Sequence, residues 1–419
     1  MDRKDIRETR GYMHSLPSDA DASGRTFGQE ELELLRRVIE SGTLNCTRGS
    51  MVRTFEEEFA EKYGVGHCTA VTSGTAALHT AVAAIDPSPG DEVITTPITD
   101  MGVIAAILYQ TAVPVFADVD PETCNVTAET IEPRITPRTR AIIVTHLFGN
   151  PCDMDPILGV AGRHGLPVIE DCAQAYLATY KGRLVGTVGA IGCFSLQQTK
   201  HMSCGEGGMV ITGDDALGRR MRLFHDKAWG YGDPEPDHYF LALNYRMTEL
   251  QGAVALAQLR KLEGVVSRRR ALAGLLTRRI AGVRGIDPPR PTPGATHVYW
   301  KYPLRVNAKE LGADVTELAA RLKEAGIHSS PRYIQKPAFL CEVLRERRTF
   351  GASRFPFEGP FQDGQPSIEY RLEDYPGTVQ GLSGVLVLPW NERYVDADVE
   401  FIAGEIRRSV AFFQEADGG

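Results

Sequence analysis

The region between residues 67 and 212 alternates short apolar runs with longer helical stretches. The runs are rich in β-branched residues, as strands buried on both faces are. We predict seven strands, at 68–72, 92–96, 113–119, 141–147, 167–172, 191–196 and 209–212. Helical stretches, such as 76–85 and 101–110, lie between several of them. This alternation predicts an α/β fold with a mostly parallel, doubly wound sheet, whose ligands bind at the carboxyl ends of the strands.

The flanking segments have other patterns. Two helices are predicted ahead of the first strand, one at 29–40 and one that ends at Gly64. The apolar face of the first consists of Leu32, Leu35, Val38 and Ile39, and that of the second of Val52, Phe55 and Phe59. After the last strand, a long helix is predicted at 248–270.

The C-terminal third predicts a smaller α+β domain. Its predicted elements lie at 299–306, 315–325 and 384–388. The stretch 349–377 is rich in Pro, Gly and Phe and is predicted to be a long loop over the surface or the active site. We therefore divide the chain into an N-terminal arm (1–25), a large ligand-binding domain (26–260) and a small domain (261–419).

Composition narrows the possible functions. The 419 residues carry a formal net charge of −8, and no run of Lys and Arg is dense enough to indicate a nucleic-acid partner. No apolar stretch reaches about 18 residues, and the charged N-terminus is unlike a secretory signal, so we expect no membrane association. The eight cysteines form no CxxC pair, so we expect no metal site and a reducing cytoplasm as the compartment.

The first candidate site segment is Thr72-Ser73-Gly74-Thr75, where a predicted strand passes into a helix. Gly74 permits a tight turn, and the free N–H groups and dipole of a helix N-terminus favour a phosphate. Ser73 or Thr75 could equally act only as the N-cap of that helix. Alone, the segment favours the capping interpretation.

The second segment ends the strand at 167–172 with Glu170 and Asp171. A carboxylate there needs a partner, and one such partner is a protonated pyridine nitrogen. Asp171 is the candidate, since strand alternation directs Glu170 to the opposite face. An Asp that caps the following helix is the equal alternative.

The third segment runs from Ser195 to Lys200 and into a turn with glycines at 205, 207 and 208. A lysine that forms a Schiff base must be partly unprotonated, which burial and nearby positive charge achieve. A lone lysine in such a place is more often a surface residue. The order of phosphate cradle, acid and lysine on successive strand ends, however, is the arrangement of fold-type-I pyridoxal-phosphate enzymes.

Nucleotide-binding motifs fit the sequence poorly. No GxGxxG follows the first strand, and the glycines at 186, 189 and 192 have the wrong spacing. The chain also contains no GxxxxGK[ST] segment.

The sequence resembles the DegT/DnrJ/EryC1/StrS family of sugar and cyclitol aminotransferases from about Gly42 to Val410. The segments that carry the resemblance are TSGTAAL at 72–78, EDCAQA at 170–175, FSLQQTKHMSCGEGG at 194–208 and NYRMTELQGAV at 244–254. It implies a fold-type-I enzyme that binds pyridoxal 5'-phosphate as a Schiff base on Lys200.

The resemblance also implies roles for particular residues. Lys200 would move the proton, Asp171 would pair with the pyridine nitrogen, and Gln174 would lie against the ring or its phenolic oxygen. The phosphate would be held by Gly74, Thr75 and Ser195, with Ser73 beside them, and by Asn244 of the neighbouring subunit. A homodimer with shared active sites follows, although Asn244 could also be only a turn residue.

One position departs from the family pattern. An aromatic residue usually stacks on the cofactor ring shortly after the strand at 92–96, but Asp100 stands there. Met101 or Ile98 could replace the stacking contact, or Asp100 could bind a substrate hydroxyl. An Asp that caps the helix at 101–110 is the slightly favoured interpretation.

The implied reaction moves an amino group from glutamate or glutamine to a keto sugar or keto cyclitol, in amino-sugar or antibiotic biosynthesis. Candidate substrate residues are Asp100, His146, Arg332 and Tyr333. His146 would face the cleft, but a structural role is the favoured interpretation for it. For Arg332 and Tyr333, a position in a solvated polar loop is an equally good interpretation. A dehydratase or lyase, or a non-catalytic regulatory homologue, are the alternatives, but dehydratase members carry His in place of the lysine.

Overall fold

The computed structural model describes residues 15–359 and 368–417. Residues 1–14 of the predicted N-terminal arm and residues 360–367 of the predicted loop at 349–377 lie outside the described residues. Within the described part, no helix combines the length and apolar character that crossing a membrane requires.

The central sheet contains all seven predicted strands, which confirms that prediction. Its spatial order is β1-β9-β8-β5-β4-β2-β3. The bounds are β1 (His67–Val71), β2 (Glu92–Thr95), β3 (Val113–Phe116), β4 (Thr139–Thr145), β5 (Val168–Asp171), β8 (Ile191–Ser195) and β9 (Gly208–Thr212). Only β9 runs against its neighbours β1 and β8, so the other six strands of this sheet end at one edge.

Helices cover both faces of this sheet, as a doubly wound fold requires. In β4, Ile142 and Val144 contribute to one hydrophobic core, while Ala141 and Ile143 contribute to the other. The helices are α1 (Gln29–Ser41), α2 (Met51–Tyr63), α3 (Gly74–Ile85), α4 (Met101–Tyr109), α5 (Ala128–Ile131), α6 (Met154–Arg163), α7 (Asp215–Phe224), α8 (Glu249–Ile280), α9 (Ala308–Leu311), α10 (Val315–Glu324), α11 (Glu342–Arg345), α12 (Pro376–Ser383) and α13 (Asp396–Asp417).

A second sheet lies in the C-terminal third, with the order β10-β12-β14-β13. Its strands are β10 (Ile286–Asp287), β12 (Lys301–Val306), β13 (Ser330–Pro331) and β14 (Val385–Pro389). A third, short sheet is formed by β6 (Thr179–Tyr180), β7 (Arg183–Leu184) and β11 (Ala295–Thr296). The predicted elements at 299–306, 315–325 and 384–388 correspond to β12, α10 and β14.

Helix α8 connects the two main cores. Leu256 and Leu262 pack in the core of the central sheet, and Leu276 and Ile280 pack in the core of the second sheet. The helix is longer than the predicted 248–270 and passes residue 260 without a break. One continuous helix therefore joins the core of the central sheet to the core of the second sheet. The division of the chain at residue 260 stays a prediction.

The apolar face predicted for α1 is partly wrong. Leu32 and Ile39 are 61% and 62% exposed, while Glu31, Leu34 and Val38 are buried. Glu31 turns inward because its carboxylate accepts hydrogen bonds from Gln258 and Lys261 of α8. This buried pairing rotates the helix away from the face that hydrophobicity alone indicates.

The described parts of the loop predicted at 349–377 cover the edge of the central sheet. Tyr370 donates a hydrogen bond to the Pro114 carbonyl of the edge strand β3, at 2.6 Å. The ring of Phe116 in the same strand packs against Phe339 and Tyr370, with centroid distances of 5.6 and 5.1 Å. An edge strand covered in this way is protected from pairing with other chains.

We expect Phe59→Ala to lower the free energy of unfolding by about 3–5 kcal/mol, because it removes a fully buried ring. That ring packs against Tyr63 and Phe194, at 4.6 and 5.2 Å between centroids. Chemical denaturation measures the change. The control Val379→Ala alters an exposed side chain and should stay within about 0.5 kcal/mol of wild type, and equal effects of the two variants would contradict the packing described.

Candidate active site

Three of the predicted segments meet at the carboxyl edge of the central sheet. Segment 72–75 follows β1, Asp171 ends β5 and Ser195 ends β8. The first residue of β9, Gly208, pairs with both Val71 and Ser195, so the ends of β1 and β8 lie close together across it. The sheet order thus unites residues that are about 120 positions apart in the chain.

A cradle of backbone and hydroxyl groups forms where α3 begins. Ser73 is the N-cap of α3, and its Oγ accepts a hydrogen bond from the Ala76 N–H at 3.0 Å. A Cβ on Gly74 would lie 2.6 Å from the Cβ of Ser195, and a Cβ on Gly208 would lie 2.2 Å from the Ser73 carbonyl oxygen. Only glycines allow this approach, which brings the start of α3 next to the Ser195 hydroxyl and leaves Thr75 exposed. Free N–H groups at a helix start beside a hydroxyl favour an anion.

Asp171 is a buried carboxylate at the end of β5, only 5% exposed. Its Oδ1 accepts a hydrogen bond from the Ala173 N–H at 3.1 Å, and Thr145 Oγ1 donates to Oδ2 at 3.4 Å. Burial raises the pKa of the Asp171 carboxyl above its ordinary value. A cation placed beside the carboxylate would offset that cost, so the position suits a positively charged ring nitrogen.

Glu170 points to the opposite face of the sheet from Asp171, as strand alternation predicted. Its Oε1 accepts hydrogen bonds from the N–H groups of Val188 and Gly189, at 2.8 and 2.6 Å. Its Oε2 lies 2.9 Å from His146 Nε2. The two neighbouring acids therefore have separate partners.

The expectation that His146 faces the cleft is wrong. His146 is fully buried, and its Nδ1 accepts a hydrogen bond from the Cys152 N–H at 3.0 Å, which leaves the proton on Nε2 for Glu170. His146, Glu170 and Cys172 have potential ligand atoms within 4.8 Å of one another. Both ring nitrogens already have protein partners, so His146 is a structural residue.

Lys200 lies in the loop that joins β8 to β9, where its N–H donates to the Gln197 carbonyl at 3.0 Å. Its Nζ is 4.3 Å from the centroid of the Trp300 ring. Burial lowers the pKa of the Lys200 amine to about 8, against the opposing charges of Asp171 and Asp100 and with help from Lys301. The amine is therefore partly uncharged near neutral pH, as a nucleophilic lysine must be.

Gln174 and Tyr333 form one wall of this site. Gln174 Oε1 accepts from the Phe148 N–H at 2.6 Å, and its Nε2 donates to the Tyr333 hydroxyl at 3.2 Å. The Tyr333 ring packs edge-on against Phe148, with the centroids 4.8 Å apart. Burial raises the pKa of Tyr333 to about 12, so its hydroxyl stays protonated and able to donate.

Arg332 does not join these residues, although it precedes Tyr333. Both residues have left-handed backbone conformations, with φ of +64° and +57°. The Arg332 side chain is exposed and lines a groove of about 1030 Å³ together with Arg305 and Lys309. The predicted pair is thus separated, with the tyrosine in the site and the arginine in another groove.

Asp100 is the N-cap of α4, and its Oδ1 accepts from the Gly102 N–H at 2.8 Å. The capping interpretation is confirmed. The Asp100 charge lies close enough to favour a higher pKa of Lys200, where burial outweighs it, and to add to the effect of burial on Asp171 and Tyr333. Asp100 is therefore at the margin of the same site. Ile98 and Met101 were the suggested replacements for the stacking aromatic ring. Ile98 is buried, and Met101 packs against the core that contains Phe339.

Asn244 is exposed, and its Oδ1 accepts from the Arg246 N–H at 3.2 Å. No hydrogen bond among the described residues joins it to Gly74 or Ser195. Large exposed side chains lie beside it, and Leu241 is 95% exposed. Within one chain, Asn244 is therefore not part of the site.

Sequence reasoning missed Trp300 and Arg25. Trp300 Nε1 donates to the Thr199 carbonyl at 2.8 Å, and Arg25 Nη2 donates to the Lys200 carbonyl at 2.9 Å. Each is far from residue 200 in the chain, and no local motif marks either of them. Only the tertiary structure reveals these contacts.

Known proteins resemble this chain over most of its length. The DegT/DnrJ/EryC1/StrS aminotransferase family matches residues 25–358. The spore coat polysaccharide biosynthesis protein SpsC of Bacillus subtilis is 34% identical over 91% of this chain and 94% of its own. GDP-perosamine synthase of Caulobacter vibrioides is 38% identical over 76% of this chain and 85% of its own. L-glutamine:2-deoxy-scyllo-inosose aminotransferase of Streptomyces kanamyceticus is 39% identical over 72% of this chain and 74% of its own.

Solved structures agree with these relatives. The aminotransferase TlmJ from Streptoalloteichus hindustanus superposes with a TM-score of 0.80 at 30% identity, over 93% of this chain and 98% of its own. DesV of S. venezuelae, solved in complex with a ketimine intermediate, superposes with a TM-score of 0.78 at 29% identity, over 91% and 94%.

We expect His146→Ala to cost about 1–3 kcal/mol of stability, because it removes a buried hydrogen-bond donor from the Glu170 carboxylate. Denaturant titration measures the loss. The exposed His164→Ala is the matched control and should change stability by less than about 0.5 kcal/mol. A His146 variant as stable as this control would contradict the structural role.

Proposed function

The chain belongs to the DegT/DnrJ/EryC1/StrS aminotransferase family, and we propose that it transfers an amino group to a keto sugar or keto cyclitol. It is a pyridoxal-phosphate-dependent aminotransferase of fold type I. The observation that carries the proposal is the partly uncharged Lys200 amine at the same sheet edge as the buried Asp171 carboxylate and the start of α3.

The acceptor class is inferred from the relatives. One similar protein is a GDP-perosamine synthase, and another acts on 2-deoxy-scyllo-inosose with L-glutamine. We propose glutamate or glutamine as the amino donor of this chain for the same reason. We propose that the chain takes part in the synthesis of an amino sugar or of an antibiotic precursor, since this role fits both relatives.

The site residues fit the cofactor. The glycine-dependent cradle of Ser73, Gly74, Thr75 and Ser195 would hold its phosphate. A protonated ring nitrogen would stabilise the buried Asp171 carboxylate, whose pKa is raised by burial. Gln174, which reaches the site between Phe148 and Tyr333, would contact the ring. When bound, the cofactor withdraws electrons from the substrate carbon that loses its proton.

The chain's own residues supply binding and proton transfer. The Lys200 amine would hold the cofactor, and the same amine would accept and return the proton that the reaction moves. The pKa of about 8 allows the amine to do both near neutral pH. The Trp300 ring lies beside the amine, Tyr333 packs against Trp300, and Phe148 packs against Tyr333, so these rings would restrict water on that side.

We propose a homodimer in which Asn244 reaches the phosphate cradle of the partner subunit. Support comes from the position of Asn244 beside exposed Tyr239, Leu241 and Leu243, an apolar patch of the kind that marks subunit contacts. We also propose the reducing cytoplasm as the compartment, which suits the five buried thiols.

We expect Lys200→Ala to abolish covalent attachment and to slow amino transfer by at least about a thousandfold. Borohydride treatment followed by peptide mass spectrometry should locate the cofactor on residue 200 of wild type only. Transfer is measured with glutamine labelled by ¹⁵N at the α-amino group and a panel of keto sugars. Exposed Lys323→Ala is the control and should behave as wild type. Release of water without label in the product would instead indicate a dehydratase.

Mixed dimers test the shared site. Lys200→Ala and Asn244→Ala chains should each be inactive alone, yet recover activity after unfolding and reassembly together. One site of the mixed dimer then has an intact Lys200 and an intact Asn244 from different chains. No recovery, with mixed dimers verified by mass, would contradict the shared arrangement.

A further inference from the structure

The N-terminal strap, defined as residues 18–25, lies against the loop that carries Lys200. Arg25 Nη2 donates to the Lys200 carbonyl at 2.9 Å. Gln198 Nε2 donates to the Asp19 carbonyl at 3.0 Å. The strap therefore contacts the lysine loop at two points, the Lys200 main chain and the Gln198 side chain, from residues about 175 positions away.

The strap is anchored to the C-terminal part of the protein by the Asp19 side chain. This buried carboxylate accepts from Arg269 Nη2 at 3.0 Å and from Lys301 Nζ at 3.1 Å, and Asn391 Nδ2 donates to it as well. Asn391 Nδ2 also donates to the Gly24 carbonyl at 3.0 Å. A Cβ on Gly24 would lie 2.3 Å from the Ser18 carbonyl oxygen, so the strap folds back on itself closely.

Arg269 closes the network around the lysine. It is fully buried in α8 and donates to Glu392 Oε2 at 2.7 Å and to the Trp300 carbonyl at 3.1 Å. The Trp300 indole then donates to the Thr199 carbonyl and lies beside Lys200 Nζ. The lysine loop is thus held from one side by the strap and from the other by Trp300, and both are tied to Arg269.

Arg25 is poorly suited to a purely stabilising role. It is 5% exposed, its Nε has no hydrogen-bond partner among the described residues, and its Nη1 lies 3.5 Å from Asp19 Oδ1. A buried guanidinium with unmade hydrogen bonds costs stability. The well-formed bond that it does make is to the main chain of Lys200.

We propose that the strap is a positioning element for Lys200, in which Arg25 holds the lysine main chain and Asp19 anchors Arg25. The inference rests on the proposed function, since that assigns the reactive amine to Lys200. Arg25 and Asp19 would act through the Lys200 main chain, which makes them positioning residues.

The charges around Lys200 set the direction of the expected effect. Asp171 from β5 and Asp100 from the start of α4 favour the charged amine, and Lys301 from β12 opposes it. Arg25, Arg269 and Lys301 together outnumber Asp19 and Glu392 in the buried cluster. Loss of Arg25 removes one of these positive charges and loosens the loop, so the pKa of the amine should rise.

Arg25→Met is compared with Arg138→Met. Arg138 is also a partly buried arginine whose Nε lacks a partner, but it pairs with Glu92 at the opposite edge of the sheet. Arg25→Lys tests rescue by a conservative change, and Asp19→Asn tests the anchor. Two quantities are measured: the pH midpoint of the visible band of the holoenzyme, and the pH dependence of Lys200 acylation after cofactor removal, read by peptide mass spectrometry.

We expect both midpoints to rise by at least about half a pH unit in Arg25→Met and to return toward the wild-type value in Arg25→Lys. They should fall in Asp19→Asn, because that change removes a negative charge from the cluster, and stay unchanged in Arg138→Met. Equal midpoints in Arg25→Met and Arg138→Met would overturn the proposal. If Arg25→Met does not fold, unchanged midpoints in Asp19→Asn overturn it. If wild type forms no visible band, the proposed function fails, while the acylation measurement still decides the role of the strap.

Discussion

The arrangement of the site depends on the free-energy cost of charging the Lys200 amine where burial limits its hydration. The Lys200 amine lies beside the Trp300 ring and close to the Asp171 carboxylate, at the edge of a sheet whose faces are packed with apolar side chains. An ordinary lysine would recover its hydration by turning outward. Here the loop is fixed on both sides, so the amine stays in the site and its pKa falls to about 8.

The reversed direction of β9 makes this arrangement possible. Because β9 runs against β1 and β8, its first residue lies between the ends of those two strands. Gly208 has no side chain there, and so the start of α3 can approach Ser195. The start of α3 and the Lys200 loop, both next to the end of β8, thus lie at the same edge of the sheet as Asp171.

The adjacent carboxylates of Glu170 and Asp171 differ in their hydrogen-bond partners, and this difference separates their roles. Glu170 is satisfied by two backbone N–H groups and His146, and it serves the structure. Asp171, one residue later and on the opposite face, has fewer and longer hydrogen bonds and a raised pKa. A carboxylate left short of partners at a strand end is available for a cationic ligand.

Local pattern in the sequence was enough to determine the strands of the central sheet, the order of cradle, acid and lysine, and the opposite directions of Glu170 and Asp171. These depend on β-branched runs, strand alternation and short motifs, all of which act over a few residues. The inward turn of Glu31 in α1, the burial of His146 and the separation of Arg332 from Tyr333 were decided by partners distant in the chain. The same holds for Trp300 and Arg25, because contacts across 100 residues or more depend on how whole elements pack and leave no periodic trace in the sequence.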